Sequence, residues 1–234
     1  MTGPADTPQH PDGASRPSRH WVRDSLALAL VLAAAAAIAW FAGVRWQFEP
    51  KNFGIVEPGV LYRSAALTPA ALRRVHDLYH IRTIVDLGAY DRDPVGGVIA
   101  QRTADALGIK RFVFPLEGDG TGDPNAYVRA LRIIASPANQ PVLVHCATGS
   151  QRTSGCVILY QQIIHGDAFD PAYDQAKSFK HDPTRNPRLK PYLLEWHDRI
   201  AQAYRSGAVV PGYRPSDAVD GGTGLGASKS GAGY

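Results

Sequence analysis

The residues best suited to chemistry lie between Pro141 and Thr153. The apolar run Val142-Leu143-Val144 leads into His145-Cys146, and Arg152-Thr153 follows after five intervening residues. Beyond Thr153, the stretch Ser154-Gly155-Cys156-Val157-Ile158-Leu159-Tyr160 continues to His165 and is too long and apolar for a loop. The segment therefore reads as strand, anion-binding loop and helix. Backbone amides of Ala147, Thr148, Gly149, Ser150 and Gln151 would sit at a helix N-terminus, where negative charge is favoured. This composition suits one task, holding a tetrahedral phosphate while a sulfur attacks it. Cys146 is the candidate nucleophile, its thiolate stabilised by the helix dipole and the converging amides. Arg152 supplies a planar fork that grips two phosphate oxygens at once, which the point charge of lysine does not. Gly149 permits a positive φ, so that successive amides curl into a nest. The Thr153 hydroxyl is placed to hydrogen-bond the sulfur and make it a better leaving group, and His145 braces the loop.

These residues need a frame. Val60 to Arg63 reads as a first strand, and Thr68-Pro69 opens a helix running to about Tyr79. A second strand spans Ile81 to Leu87, and a helix from about Val95 to Leu107 closes at Gly108. Lys110 to Leu116 supplies a third strand, Asp123-Pro124 caps the next helix, and Pro141 to His145 feeds the loop. Further on, Asp170-Pro171 caps a helix carrying Lys177 and Lys180. A last amphipathic helix spans Pro191 to Arg205, with Leu193, Leu194, Trp196 and Ile200 on its apolar face and Gly207 at its end. Alternating strands and helices imply an α/β fold, a mostly parallel central sheet flanked by helices. Ligands in such folds bind at the carboxyl ends of the strands, where Cys146 falls.

A chain of 234 residues, 44% of them hydrophobic, holds one globular domain and some additional segments. Four regions are expected: a disordered tail over 1–24, a transmembrane segment over 25–44, a catalytic domain over 45–205 and a disordered Gly-rich tail over 206–234. The segment from Ser25 to Val44 carries no charge and is about long enough to cross a bilayer, with aromatic residues near both ends. A cleavable signal peptide is the competing reading, because Ala35-Ala36-Ala37 and Ala37-Ile38-Ala39 fit a small-x-small cleavage pattern. Arg16, Arg19 and Arg23 before the segment, against Arg45 and Lys51 after it, lean towards a cytoplasmic N-terminus and an extracytoplasmic domain. The oxidation sensitivity of a thiolate argues for the opposite side. A net charge of +4 and a pI near 9.1 suit an anionic substrate but fall short of a nucleic-acid-binding stripe. Cys146 and Cys156, the two cysteines, are expected to be free thiols. No metal is expected, since His76 and His80 lack a neighbouring third ligand in sequence.

The pattern His-Cys-x5-Arg-Thr, with glycine three residues after the cysteine, resembles the signature of cysteine-dependent phosphatases of the dual-specificity and tyrosine type. The upstream run from Asn52 to Ser64, with Leu61-Tyr62-Arg63-Ser64 at its end, is similar to the opening of the atypical dual-specificity-like branch in fungi, plants and bacteria. The resemblance covers about Asn52 to Arg205. It implies a phosphocysteine intermediate, no cofactor, and an aspartate general acid on a loop after an upstream strand. The candidate loop runs from Pro115 to Asp123 and lacks the family's Trp-Pro-Asp triplet. Asp119, between two glycines, is named as the acid; Asp123, also suited to capping a helix, is the alternative. The implied substrate is a phosphorylated protein. An inositol phosphate or phosphoinositide is the rival, on account of Lys177, Lys180, His181, Arg185, Arg188 and Lys190. A catalytically silent phosphate-binding module at a membrane, and a sulfurtransferase, are readings from other classes.

Overall fold

The structure is a computed structural model that describes residues 19–213, so the tails expected at 1–18 and 214–234 lie outside the described residues. The chain divides into two compact units, Met1–Arg45 and Trp46–Tyr234. In the first, helix α1 (Arg19–Ala39) continues through a π-helical turn at Trp40–Val44. The helix begins earlier than the expected Ser25, because Arg19 to Asp24 contain no breaker and add a polar turn to the apolar run. Trp21–Val44 has a mean hydropathy of 2.3 and none of it is buried, so by length and composition it is able to cross a membrane. A short helix α2 (Arg45–Phe48) follows.

The second unit is built on a five-stranded sheet of order β1-β2-β5-β3-β4. The strands are β1 (Gly54–Glu57), β2 (Leu61–Ala65), β3 (Thr83–Asp86), β4 (Lys110–Val113) and β5 (Val142–Cys146). All neighbours run parallel except β1, which lies antiparallel on the edge against β2. Strand β1 has no counterpart in the sequence-based expectation, since Gly54-Ile55-Val56-Glu57 is too short to show alternation. Helices α3 (Pro69–Tyr79), α4 (Pro94–Ala106) and α5 (Pro124–Ala135) each start with proline behind a capping side chain. Thr68 accepts from the Ala71 amide, Asp93 from Gly96 and Asp123 from Asn125. Helices α6 (Gln151–Tyr160), α7 (Phe169–Lys177) and α8 (Leu189–Ser206) complete the unit. Asp170 lies inside the first turn of α7, not at its cap, because the helix already begins at Phe169.

Register divides the sheet into two faces. Leu61, Val85, Val144 and Cys146 pack against α5, α6 and α8, whereas Tyr62, Ile84 and Leu143 pack against Leu72 and Val75 of α3 and Ala104 of α4. Every residue of α6 is buried, so the helix behind the cysteine loop is the centre of the larger core. After α8 the chain does not become structureless at once. Val210 is buried, its amide donates to Asn125 Oδ1 at 2.7 Å, and Tyr213 stands edge-on to Trp196. Two valines inside a glycine- and serine-rich stretch give no periodic signal for this docking.

On the α3/α4 face, three side chains form a buried polar group. Asp86 Oδ2 accepts from Arg111 Nη2 at 2.5 Å and lies 3.8 Å from His145 Nε2, while Oδ1 accepts from the Ala89 amide at 2.7 Å. Burial pushes the Asp86 carboxyl up, but His145, the Ala89 amide and Arg111 outweigh it and hold the group below the usual carboxylate range. Burial lowers His145, so it is neutral near pH 7. Asp86→Ala leaves Arg111 buried without its counter-charge and should cost about 3–5 kcal/mol in urea unfolding at pH 7. Because the folded-state value is depressed, this contribution is complete above the ordinary carboxylate pKa of about 3.9 and is lost as pH falls through the lower folded value. The gap between wild type and variant should therefore be constant from pH 7 to about 5 and shrink below about pH 4.

Candidate active site

Cys146 is the last residue of β5 and is 2% exposed. The chain turns through residues 147–150 and enters α6 at Gln151, with Ser150 at the N-cap making no side-chain cap bond. The first amides of α6 are thus left to a ligand. Gly149 has φ +70°, and a Cβ there would come within 2.6 Å of the Ser64 and Ala65 backbone. The glycine is required twice, by its left-handed conformation and by the closeness of β2. Strand β2 and its approach hold the loop at three points. The Ala66 amide donates to the Ala147 carbonyl (3.3 Å), Asn52 Nδ2 to the Thr148 carbonyl (3.1 Å) and Arg63 Nη2 to the Gly149 carbonyl (2.8 Å).

Arg152 is anchored by one nitrogen. Its Nη1 donates to the carbonyls of Leu87 (3.1 Å), Gly88 and Leu116 (3.4 Å) and to Asp91 Oδ2 (3.1 Å). Its Nε is buried and makes no hydrogen bond within the protein. One side of the fork is therefore locked to the loops after β3 and β4, while Nε makes no bond within the protein. Thr153 is fully buried, and its Oγ1 has no hydrogen-bond partner within the protein. Gln151 is held by His181, whose other ring nitrogen hydrogen-bonds the Tyr173 hydroxyl at 2.7 Å. Cys156 lies in α6, where burial pushes its thiol up to about 12. Both cysteines are free.

A cavity of about 750 Å³ opens over this loop, with Ala147 and Arg152 in its lining together with Asp91, Glu117, Asp123 and Tyr213. Asp123 plays its anticipated structural part, its Oδ1 accepting from the Asn125 amide at 2.9 Å. Asp119 also has structural contacts of its own. Its Oδ1 accepts from the Thr121 amide (3.0 Å) and hydroxyl (2.7 Å), and its Oδ2 lies 3.1 Å from Arg188 Nη1. Asp119 is not among the residues lining the cavity in this conformation. The flanking loop is nevertheless packed on the site, since Gly120 touches the Gln151 backbone closely enough that a Cβ would lie 3.3 Å from it.

The six basic residues noted in sequence do not converge on the cavity. Lys177 pairs with Asp174, Arg185 with Asp182, Arg188 with Asp119 and Lys190 with Asp170, while Lys180 is exposed and His181 is buried beside Gln151. Sequence reasoning missed three charged residues that the fold brings to the loop or behind it: Arg63, Asp91 and Asp86. A charged residue within an apolar strand run is the available signal for Arg63 and Asp86. Asp91 stands in a loop of mixed charges and gives none. Among the described residues no group of three or more acidic, histidine or cysteine side chains is arranged to hold a metal ion.

The fold is shared with solved phosphatase structures. The core catalytic domain of the PP-IP phosphatase SIW14 from S. cerevisiae aligns over 68% of this chain and 95% of its own, with a TM-score of 0.53 and 21% identity. TpbA of P. aeruginosa, of which a variant is also solved in complex with pTyr, aligns with a TM-score of 0.53 and 21% identity over 66% of this chain and 91% of its own. In sequence, the chain is 26% identical to the inositol diphosphatase SIW14 of Saccharomyces cerevisiae over 64% of its length and 52% of the relative's. It is 33% identical to the inositol diphosphatase DSP1 of Oryza sativa subsp. japonica over 50% of its length and 51% of the relative's. The chain thus spans about half the length of these curated relatives. The family model described as a DSP-PTPase phosphatase fused to NAD+ kinase matches residues 34–188. With that match taking in the whole sheet and the whole cysteine loop, the chain belongs to the DSP-type, cysteine-dependent phosphatase family.

Proposed function

We propose that this protein hydrolyses phosphate monoesters of the phosphotyrosine and dual-specificity type through a phosphocysteine intermediate. The observation that carries this reading is Arg152, pinned by Nη1 with Nε unbonded, at the end of an uncapped amide loop that starts from Cys146. The substrate phosphate lies in the nest of amides from Ala147 to Gln151 and on the free side of Arg152. The Cys146 thiolate attacks phosphorus, a P–S bond forms, and the bond to the departing oxygen breaks. Asp119 gives that oxygen its proton. Water then attacks phosphorus while the Asp119 carboxylate takes its proton; the P–S bond breaks, the thiolate returns with a hydrogen bond from Thr153, and phosphate leaves.

For Asp119 to reach the substrate, its loop must turn the carboxylate off Arg188. Breaking the Arg188 pair costs about 0–1 kcal/mol and releasing the two hydrogen bonds from Thr121 about 1 kcal/mol each, while the adjoining Gly118 and Gly120 supply the backbone freedom. Using Asp123 would instead uncap α5, at about 1 kcal/mol. A second reading, hydrolysis of an inositol diphosphate, is favoured by what the curated relatives are named for. The cavity volume accommodates either class. We further propose that Trp21–Val44 is a single-pass anchor, with the 46–213 unit on the extracytoplasmic side according to the arginine balance.

The full chain should release phosphate from phosphotyrosine peptides, and Cys146→Ser should abolish release while still binding a phosphopeptide in calorimetry. Turnover by the serine variant near wild type would sink the mechanism; binding without turnover in the wild type would favour the silent module. Running the same assay with inositol diphosphates ranks the two substrate classes. Asp119→Asn should slow esters with poor leaving groups at least about tenfold while sparing an activated aryl phosphate, which needs little protonation. The same pattern in Asp123→Asn, and not in Asp119→Asn, would reverse the assignment. The full chain should also stay in the membrane pellet at alkaline pH, and protease added to intact cells should digest the domain. Release into the supernatant removes the anchor, and protection of the domain reverses its side.

A further inference from the structure

Arg63 is a buried cation with an incomplete set of protein partners. The residue is 1% exposed, yet among the described residues no carboxylate forms an ion pair with it. Its Nη2 donates to the Gly149 carbonyl and to Ser154 Oγ, both at 2.8 Å, and the guanidinium lies 3.7 Å from the Phe179 ring centroid. Its Nε has no hydrogen-bond partner. A guanidinium taken out of water in this way is stable only if negative charge or strong dipoles replace its hydration. Two carbonyl or hydroxyl oxygens and one ring face do so in part.

Register places Arg63 on the same face of the sheet as the cysteine. Arg63 pairs with Val144 and Ala65 with Cys146 in the parallel β2–β5 ladder, so Arg63, Ala65 and Cys146 all stand on the α5/α6 face. Burial pushes Arg63 down to about 10, and the charges that counter this shift come from the thiols of Cys146 and Cys156. Cys156 stays protonated at neutral pH, since burial pushes it up to about 12. Cys146 is left as the candidate anion of the two. Other charged and titratable groups on the elements around Cys146 are His145, Tyr127, Arg152 and His181, with Asp91, Glu117, Asp119 and Asp123 on the loops at the cavity. His145 is neutral and projects to the other face, towards Asp86 and Arg111.

We propose that Arg63 is a positioning residue for the phosphatase reaction, which fixes the Gly149 carbonyl and serves as the buried counter-cation of the Cys146 thiolate. Arg152 is thereby left for the substrate, and the thiolate is held before substrate arrives. This role rests on the phosphatase reading for its consequence in turnover but not for its charge pairing, so the two are separable by experiment. Alkylation of Cys146 by iodoacetamide, followed by mass spectrometry of its peptide from about pH 5 to 8, reads the thiolate without any substrate.

In folded Arg63→Met, alkylation at about pH 6 should be slower by about tenfold or more, the deficit closing as pH rises, as expected for a smaller thiolate fraction. Arg63→Lys keeps the charge but not the double donation to Gly149 and Ser154. Its alkylation profile should stay within about twofold of wild type while kcat falls about tenfold. Superposable profiles for Arg63→Met and wild type would overturn the counter-cation role, as would a lysine variant shifted as far as the methionine one. An unchanged kcat in Arg63→Lys would overturn the positioning role. If Arg63→Met does not fold, the equally uncharged Arg63→Gln takes its place in the alkylation series with the same expected slowing, and a profile superposable on wild type overturns the counter-cation role. A wild-type chain with no turnover on any phosphate ester would remove the phosphatase reading and leave the alkylation result standing.

Discussion

The short loop between the end of β5 and the start of α6, where no side chain of the N-cap residue caps the helix, is the constraint on which the rest of this structure depends. Such a loop concentrates partial positive charge and would open without restraint. Here it is restrained from one side by β2, which approaches so closely at Ser64 and Ala65 that only glycine fits at position 149. From the other side Arg152 is tied to the loops after β3 and β4 through Leu87, Gly88 and Leu116. The central position of β5 makes this possible, because it places the end of the strand between neighbours that reach the loop from both directions.

Charge is sorted by the two faces of the sheet. On the α3/α4 face, Arg111 and Asp86 neutralise each other behind His145. On the α5/α6 face, Arg63 is buried against the loop without a carboxylate. Alternation along β2 and β5 produces the separation, since Arg63 and Cys146 share one face while His145 takes the other.

The segment between β4 and α5 holds its two aspartates in different ways. Asp123 is committed to capping α5, which sets where the helix begins and how Asn125 meets Val210. Asp119 is committed only to Thr121 within its own turn and to the exposed Arg188.

Much of this was legible in the sequence. The β-branched run before Cys146, the glycine at the third position after it and the Arg-Thr pair define a strand, a turn and a helix by local rules, and proline behind a capping residue marked the starts of α3 and α5. Hydropathy and the flanking aromatic residues marked residues 25–44, inside the helix that starts at Arg19. These are local properties, fixed by φ preference, capping and periodicity within a few residues. The contacts of the basic residues after α7, the docking of Val210, the pairing of Asp119 with Arg188 and the meeting of Arg63 with Gly149 join positions far apart in sequence. No local rule specifies them. They follow from strand order and register, because a central β5 flanked by β2 and β3 is what brings residues 63, 87 and 149 to one place.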